Sequence, residues 1–318
     1  MQDIAQLVEA SRLYYELGET QSRVAELLGV TRPQVSRILK RARAEGIVEI
    51  RIVDRFAEPS AAADELRERF GLGAVHLAPS LHAPSDVGRR MIARLGAEVL
   101  RSAIRDGAVV GIGDGASISA VADAMDEPLH ATGATVVPLC GGYWFTGPVR
   151  EPFRRIADAI GGVPQGLLAP GIVDDAATKR SLVAHAGVRR ILDLWLRLDV
   201  AAFGIGGPAW TAAAFGAGTV ERLASAGAVG ELLIAPFDAD GAFVADELRE
   251  RTIAFDARRL DTVPIRIAVA GGTDKVGPIL GALRSGAVTT LVSDVRTAEA
   301  VAALAREDDA TAVTETAR

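Results

Sequence analysis

Residues 20–50 read TQSRVAELLGVTRPQVSRILKRARAEGIVEI, and their pattern decides the first part of the fold. Thr20 is placed to cap a helix whose apolar positions Val24, Leu27 and Leu28 fall at i, i+3, i+4 spacing. Gly29 supplies a tight turn. Thr31 opens a second helix, and Gln34 three residues on completes a Thr-x-x-Gln capping box. Pro33 falls in the first turn, where a missing N–H costs nothing. On this second helix Val35, Ile38 and Leu39 form one apolar stripe. Gln34, Ser36, Arg37, Lys40 and Arg41 point the other way, with Arg32 at the N-terminal end. Two short helices joined by a Gly turn, the second presenting Arg, Gln and Ser outward, match the helix-turn-helix that lays one helix in a DNA major groove.

A basic surface helix is usually only a solvated face, but charge placement argues for DNA here. Residues 1–55 carry 9 Lys/Arg against 8 Asp/Glu, whereas 56–318 carry 26 against 33, giving the net −6. Residues 31–43 hold five cations and no acid. The expected partner is double-stranded operator DNA. Arg37, with Arg32 and Gln34, is expected to read base edges, while Lys40, Arg41 and the helix start at Thr20 and Gln21 hold phosphates. Thr31 and Ser36 complete that face.

The chain of 318 residues is long enough for two domains. No apolar run reaches the roughly 18–20 residues needed to span a bilayer, and no basic-then-apolar leader opens the chain, so no membrane association is expected. The single cysteine, Cys140, excludes intrachain disulfides and fits a reducing cytoplasm. Arg outnumbers Lys 32 to 3, so each lysine is the more informative choice.

A first helix is expected over Ile4–Leu17, with Ile4, Leu7, Val8 and Leu13 covering the helix pair and Gly18 stopping it. Gly46 ends the basic helix, and Ile47 to Ile52 alternates as a strand. The expected layout is a DNA-binding domain over 1–53, a linker over 54–63, and an effector and oligomerisation domain over 64–318. A short helix, 62–70, opens that last part. Apolar runs of strand length follow at 74–78, 109–113, 135–139, 200–206, 266–271 and 289–294. Helical stretches at about 85–105, 117–126, 150–160, 176–197 and 276–285 separate them. This alternation predicts an α/β fold with a doubly wound, mostly parallel, Rossmann-like sheet buried on both faces. Residues 233–255, with an Asp-Gly turn between apolar runs, suggest an inserted hairpin.

In such sheets ligands bind at the carboxyl ends of the strands. Four strand-end loops share one chemistry: Gly111-Ile112-Gly113-Asp114-Gly115-Ala116-Ser117, Cys140-Gly141-Gly142, Gly204-Ile205-Gly206-Gly207 and Gly271-Gly272-Thr273-Asp274-Lys275. Small residues let backbone N–H groups approach an oxygen-rich molecule, and a helix start favours an anion. Glycine also serves ordinary turns, so the four together carry the reading of a shared pocket. Gly111-x-Gly113-x-x-Ala116 also satisfies a dinucleotide fingerprint, which needs an acid closing the next strand. That strand ends Val137-Pro138-Leu139-Cys140 with no acid, and Asp114 would repel a pyrophosphate. No cofactor is expected.

These segments resemble the SorC/DeoR-type transcriptional regulators, whose effector domain is similar to sugar-phosphate isomerases and deaminases. The resemblance spans nearly the whole chain. It rests on Leu13-Tyr14-Tyr15, on Gln21 through Ile50, on 111–117 and on Gly227 through Glu231. It continues through Phe237-Asp238-x-x-Gly241, Arg251, Ala270-Gly271-Gly272-x-x-Lys275 and Leu291 through Asp294. It implies a DNA-binding repressor or activator, usually tetrameric, controlled by a sugar, polyol or sugar phosphate. By the family's pattern Gly113, Asp114, Gly115, Ala116, Ser117, the Gly141-Gly142 turn, Arg251 and Lys275 line the effector site, joined by Gly206 from the third loop. The family loop commonly has an aromatic, Gly and two hydroxyl residues, where this chain has Asp114, Gly115, Ala116 and Ser117. A carboxylate in place of a hydroxyl weakens the case for phosphate there, and favours hydrogen bonds from sugar hydroxyls.

An isomerase or deaminase acting on sugar phosphates is the enzyme alternative, resting on fold similarity alone. It needs a base within reach of substrate, for which Asp114, Asp174, Asp175 and Asp246 are available. The fused DNA-binding segment favours sensing, so no enzyme activity is expected. His76, His82, His130 and His185 show no paired spacing, and one cysteine adds no ligand set, so no metal is expected. A lone helix-turn-helix buries too little to bind tightly, so a dimer or tetramer is expected, with helix faces around 85–105 and 176–197, including Trp195, as candidate contacts.

Overall fold

The computed structural model describes residues 4–48, 50, 60–79, 85–125, 133–142, 151–207 and 217–316. Two compact units divide the chain, Met1–Glu58 and Pro59–Arg318. The first is built on helices α1 (Ile4–Ser11), α2 (Gln21–Leu28) and α3 (Arg32–Ala44). A π-helical turn, Arg12–Glu16, extends α1, and Gly18 at φ +71° stops it. The Thr20 hydroxyl accepts the Arg23 N–H at 3.2 Å. Gly29 turns the chain at φ +64°, and Thr31 N donates to Gln34 Oε1 at 2.8 Å, as the capping box requires. Leu7, Ala10, Val24, Ala25, Val35, Ile38, Leu39 and Ala42 form the core.

Three expectations in this unit need correcting. Leu27 is 49% exposed, and Ala25 takes the inward position. At 100° per residue, Leu27 stands about 100° around the helix from the centre of the Val24, Ala25, Leu28 stripe. Ile4 is 64% exposed and outside the core. Ile47 and Val48 form no strand: their N–H groups donate to Ala42 O at 2.9 and 3.2 Å, closing the end of α3, and both pack on the core. Glu49, Arg51 and Ile52 lie outside the described residues, as do 54–59 of the expected linker, His82 and His130.

The second unit opens with α4 (Ala61–Phe70), so positions 61–63 of the expected linker are helical. Its sheet contains β1 (Ala74–Ala78), β2 (Val109–Ile112), β3 (Thr135–Pro138), β4 (Val163–Pro164), β5 (Val200–Gly204), β8 (Ile265–Val269) and β9 (Thr290–Asp294). All seven are parallel, in the order β1-β9-β8-β5-β2-β3-β4. Successive side chains along them join opposite cores. Ala201, Phe203, Ala268 and Leu291 share a core with Leu66, Val188, Ile191, Ile279, Leu283 and Val301. Val110, Ile112, Val200, Ala202, Ile267, Val269 and Val292 share another with Ile92, Leu100, Ile118, Val121 and Ile156. Helices α5 (Ser85–Ala103), α6 (Ala116–Asp123) and α7 (Pro152–Ala159) thus cover one face. The other is covered by α4 with α9 (Ala186–Trp195), α12 (Val276–Arg284) and α13 (Val295–Thr316). The strand path runs outward through β3 and β4, then returns through β5, β8 and β9 on the opposite side of β2. The reversal leaves a crevice at the carboxyl ends of β2 and β5.

The expected helix over 176–197 is interrupted. His185, at ψ 133°, ends α8 (Ala176–Ala184), and its Nδ1 accepts the Gly187 N–H at 3.3 Å to start α9. Trp195 is 6% exposed and its Nε1 donates to Pro138 O, so it belongs to the core rather than to a free face. The hairpin is present with its Asp-Gly turn: Phe237 and Phe243 bridge antiparallel across Asp240-Gly241, with Asp238 N donating to Ala242 O at 3.0 Å and Val244 N to Pro236 O at 2.9 Å. A second, tighter hairpin that was not expected precedes it. β6 (Gly230–Leu232) and β7 (Ala235–Phe237) are joined by Leu233 and Ile234, at φ +51° and +69°. At the Asp240-Gly241 turn the Asp238 carboxylate accepts the N–H groups of Asp240 and Ala242 at 3.0 and 2.9 Å. Helices α10 (Ala217–Ser225) and α11 (Asp246–Arg249), with strand β4 and helix α13, went unanticipated.

The Gly141-Gly142 pair illustrates two kinds of glycine. A Cβ at Gly141 would stand 2.5 Å from the backbone of Pro170, whereas one at Gly142 meets nothing within 4 Å. Gly141→Ala is expected to destabilise by about 1–3 kcal/mol through overpacking, and Gly142→Ala by far less. Paired thermal unfolding curves check this; equal melting points for the two variants would contradict the close approach.

Candidate functional site

On the first unit, Thr20, Thr31, Arg32, Ser36, Arg37 and Lys40 are exposed, and Gln21, Gln34 and Arg41 are half-buried. Thr20 and Gln34 already serve as caps. Arg41 Nε donates to Glu45 at 2.5 Å, which leaves its charge partly neutralised. Arg32, Arg37 and Lys40 have no acid partner among the described residues. The outward face of α3 therefore presents three uncompensated cations around Ser36, a surface suited to a polyanion.

On the second unit, a cavity of about 480 Å³ opens at the carboxyl ends of β2, β5, β8 and β9. Its walls are Asp114 to Ser117 after β2, Gly204 to Gly206 after β5, Gly271 to Lys275 after β8, and Asp294, Arg296 and Thr297 after β9. Cys140 joins them from the loop after β3. Asp114, Gly115, Ala116, Ser117, Gly206 and Lys275 are thus brought together. Gly113, Gly141, Gly142 and Arg251 are not among the lining residues. Gly113 N donates to Ala202 O at 2.8 Å, and a Cβ there would press on Phe203. Gly141 and Gly142 donate to Ile253 O and Ala169 O. The Arg251 guanidinium reaches Val173 O at 3.5 Å.

Glu231 lines the cavity although it was not among the expected site residues, as do Arg89, Asp294, Arg296 and Thr297. It lies in β6, only 6% exposed, and exchanges backbone hydrogen bonds with Gly206 at 3.0 and 3.2 Å. Its Oε2 accepts the Ile234 N–H at 2.7 Å. A Cβ on Gly206 would stand 2.1 Å from Oε1, so glycine there makes room for the carboxylate. The signal was a single acid between Gly230 and the apolar run Leu232 to Ile234. Burial pushes Glu231 up to about 7, partly offset by the Ile234 N–H and by Lys275. Burial also raises Asp114, against the pull of the Gly115 N–H. It lowers Lys275, although Asp274 and Glu231 act the other way. Leu233 lines the cavity from the Leu233-Ile234 turn, whose left-handed backbone costs on the order of 1–3 kcal/mol per residue. Asp114, Glu231 and Lys275 give the cavity acceptors and a donor for a polyhydroxylated molecule. Among the described residues no group of three or more His, Cys, Asp or Glu is placed to hold a metal ion. No described helix is long and apolar enough to cross a membrane.

Comparison with known proteins bears on both units. A family described as a sugar-binding domain matches residues 54–303, and a homeodomain-like domain matches 2–49. The deoxyribonucleoside regulator of Bacillus subtilis is 32% identical, over 92% of this chain and 96% of its own. The erythritol catabolism regulatory protein EryD of Brucella abortus is 30% identical, over 92% and 95%. The crystal structure of the full-length sorbitol operon regulator SorC from Klebsiella pneumoniae superposes with a TM-score of 0.72 at 26% identity, covering 95% of this chain and 100% of that one.

The pH dependence of stability tests the Glu231 environment. An acid whose folded pKa lies above its unfolded value binds its proton more tightly in the native state. Its contribution to stability therefore falls as pH rises from 4.5 to about 7. Glu231→Gln, which keeps an oxygen acceptor for the Ile234 N–H, is expected to exceed wild type in stability above that range, by about 3 kcal/mol. Thermal unfolding of both proteins from about pH 5 to 8 checks it; a constant difference across the range would refute the burial of a titrating carboxyl.

Proposed function

The chain belongs to the SorC-type family of sugar-binding transcriptional regulators, and on that premise we propose how its two units divide the work. It is a DNA-binding regulator of carbohydrate utilisation with a sugar effector, and not an enzyme. The isomerase or deaminase alternative is set aside because the relatives are regulators. In our reading residues 1–53 bind operator DNA, the segment up to α4 links, and the unit from α4 onward binds the effector and oligomerises as a dimer or tetramer in the cytoplasm. Arg37, Arg32 and Gln34 read base edges from α3, while Thr20, Gln21, Lys40 and Arg41 hold phosphates beside Thr31 and Ser36.

The observation that carries the effector assignment is the convergence of four strand-end loops on one cavity at the chain reversal between β2 and β5. Asp114, Ser117, Glu231 and Lys275 are the polar groups that hold the ligand. The names of the relatives, which refer to deoxyribonucleosides, erythritol and sorbitol, fit small polyhydroxylated effectors of this size.

Two variants test the division. Arg37→Ala is expected to lose about 1–3 kcal/mol of preference for a duplex selected by the wild type over a random one. An unchanged ratio in gel-shift titrations would remove Arg37 from base reading. Lys275→Ala is expected to retain DNA affinity while losing the effector's influence on it, since coupled sites are distinct. A full effector response in Lys275→Ala would move the site elsewhere.

A further inference from the structure

The effector class proposed above, on which the present step rests, spans neutral and phosphorylated sugars, and the hydrogen bonds of the loops divide the two. A phosphate cradle needs unoccupied backbone N–H groups at a helix start. After β2, the Gly115 N–H donates to Asp114 Oδ1 at 2.7 Å, so the chain's own carboxylate stands where a ligand anion would. After β8, the Gly272 N–H donates to Thr297 Oγ1 at 2.9 Å. That hydroxyl in turn donates to Asp294 Oδ2 at 2.6 Å, and Thr297 N donates to Asp294 Oδ1 at 3.0 Å. One N–H in each glycine loop is therefore taken from within, in the first by a carboxylate oxygen and in the second by a hydroxyl tied to a carboxylate.

The charges lining the cavity point the same way. Of the ionisable groups, Asp114, Glu231, Asp294 and Lys275 lie inward, whereas Arg89, Asp274 and Arg296 are exposed. Three carboxyl groups face one ammonium inside. A phosphate dianion among them meets like charge in a desolvated space, while sugar hydroxyls donate to the carboxylates and accept from Lys275. We propose that the cavity takes a neutral polyol or unphosphorylated sugar, and that Asp114 is the residue that sets this specificity. It does so by accepting from a ligand hydroxyl and by occupying the loop N–H that a phosphate requires.

The test is thermal-shift titration of the full chain with matched pairs: erythritol and erythritol 4-phosphate, ribose and ribose 5-phosphate, sorbitol and sorbitol 6-phosphate. Inorganic phosphate alone serves as a further probe. Wild type is expected to be stabilised by the neutral member of at least one pair, with its phosphorylated partner weaker by about tenfold or more, and to ignore inorganic phosphate. Asp114→Ser, which removes the carboxylate and frees the Gly115 N–H, is expected to lose the neutral ligand and to narrow or reverse the preference. Asp114→Asn, which keeps an acceptor for that N–H and removes only the charge, is expected to narrow the preference by less than the serine variant and keeps the test open if that variant fails to fold. Tighter binding of a phosphorylated member to wild type, or an unchanged ratio in both variants, would overturn the specificity while leaving the sugar-sensing role intact. No shift of wild type with either member of any pair would overturn the sensing cavity itself, and the specificity with it.

Discussion

The backbone of seven parallel strands, buried on both faces, has to be satisfied by the ladder itself, and this constraint arranges the rest of the effector unit. Alternate side chains such as Phe203 and Ala202 point into opposite cores, so neither face has room for polar chemistry. Only the strand ends remain open. At the carboxyl end the strand path reverses between β2 and β5, and the loops there diverge instead of packing on one another. Asp114, Ser117, Glu231 and Lys275 meet at that edge.

Glu231 shows how tightly that edge is fitted. A buried carboxylate without partners is expensive. Here one oxygen takes the Ile234 N–H, and the other lies over a residue with no side chain to obstruct it, Gly206. The hydrogen bond to Ile234 also holds a turn that Leu and Ile adopt poorly, so the acid and the strained turn support each other. Leu233 and Ile234 are kept there by burial, at 6% and 2% exposure, Leu233 also lining the cavity and both packing in the core. Glycines at the turn would relax the backbone and leave a hole.

What the sequence made legible follows the range of the interactions involved. The caps at Thr20 and Thr31, the Gly29 turn and the strand runs are local, and they read correctly from a few neighbouring residues. Leu27 and the segment from Ile47 were misread because the centre of the core stripe and the end of α3 depend on packing from elsewhere in the chain. The Asp240-Gly241 turn read correctly from turn chemistry, whereas the tighter turn at Leu233-Ile234, set by the pairing of Leu232 with Ala235, has no Gly, Asn or Pro to signal it. In the cavity, the glycine loops and Lys275 announced themselves through spacing and through the rarity of lysine. Glu231 did not, because its place depends on Gly206, 25 positions earlier in the chain. Gly141 and Gly113 read like ligand-approach glycines, but a glycine that admits a neighbouring backbone has the same one-letter signature.

The internal capping of the loops after β2 and β8 has a thermodynamic side. Fixing a residue's backbone costs about 1–2 kcal/mol, and a loop that orders only around its ligand takes that cost out of the binding free energy. With Asp114 on the Gly115 N–H and Thr297 on the Gly272 N–H, these segments are already fixed when the cavity is empty. A molecule of a few carbon atoms, with little surface to bury, can then convert most of its contacts into affinity. The entropy was spent when the chain folded, so the empty site is rigid and the occupied one differs from it mainly in charge and contact.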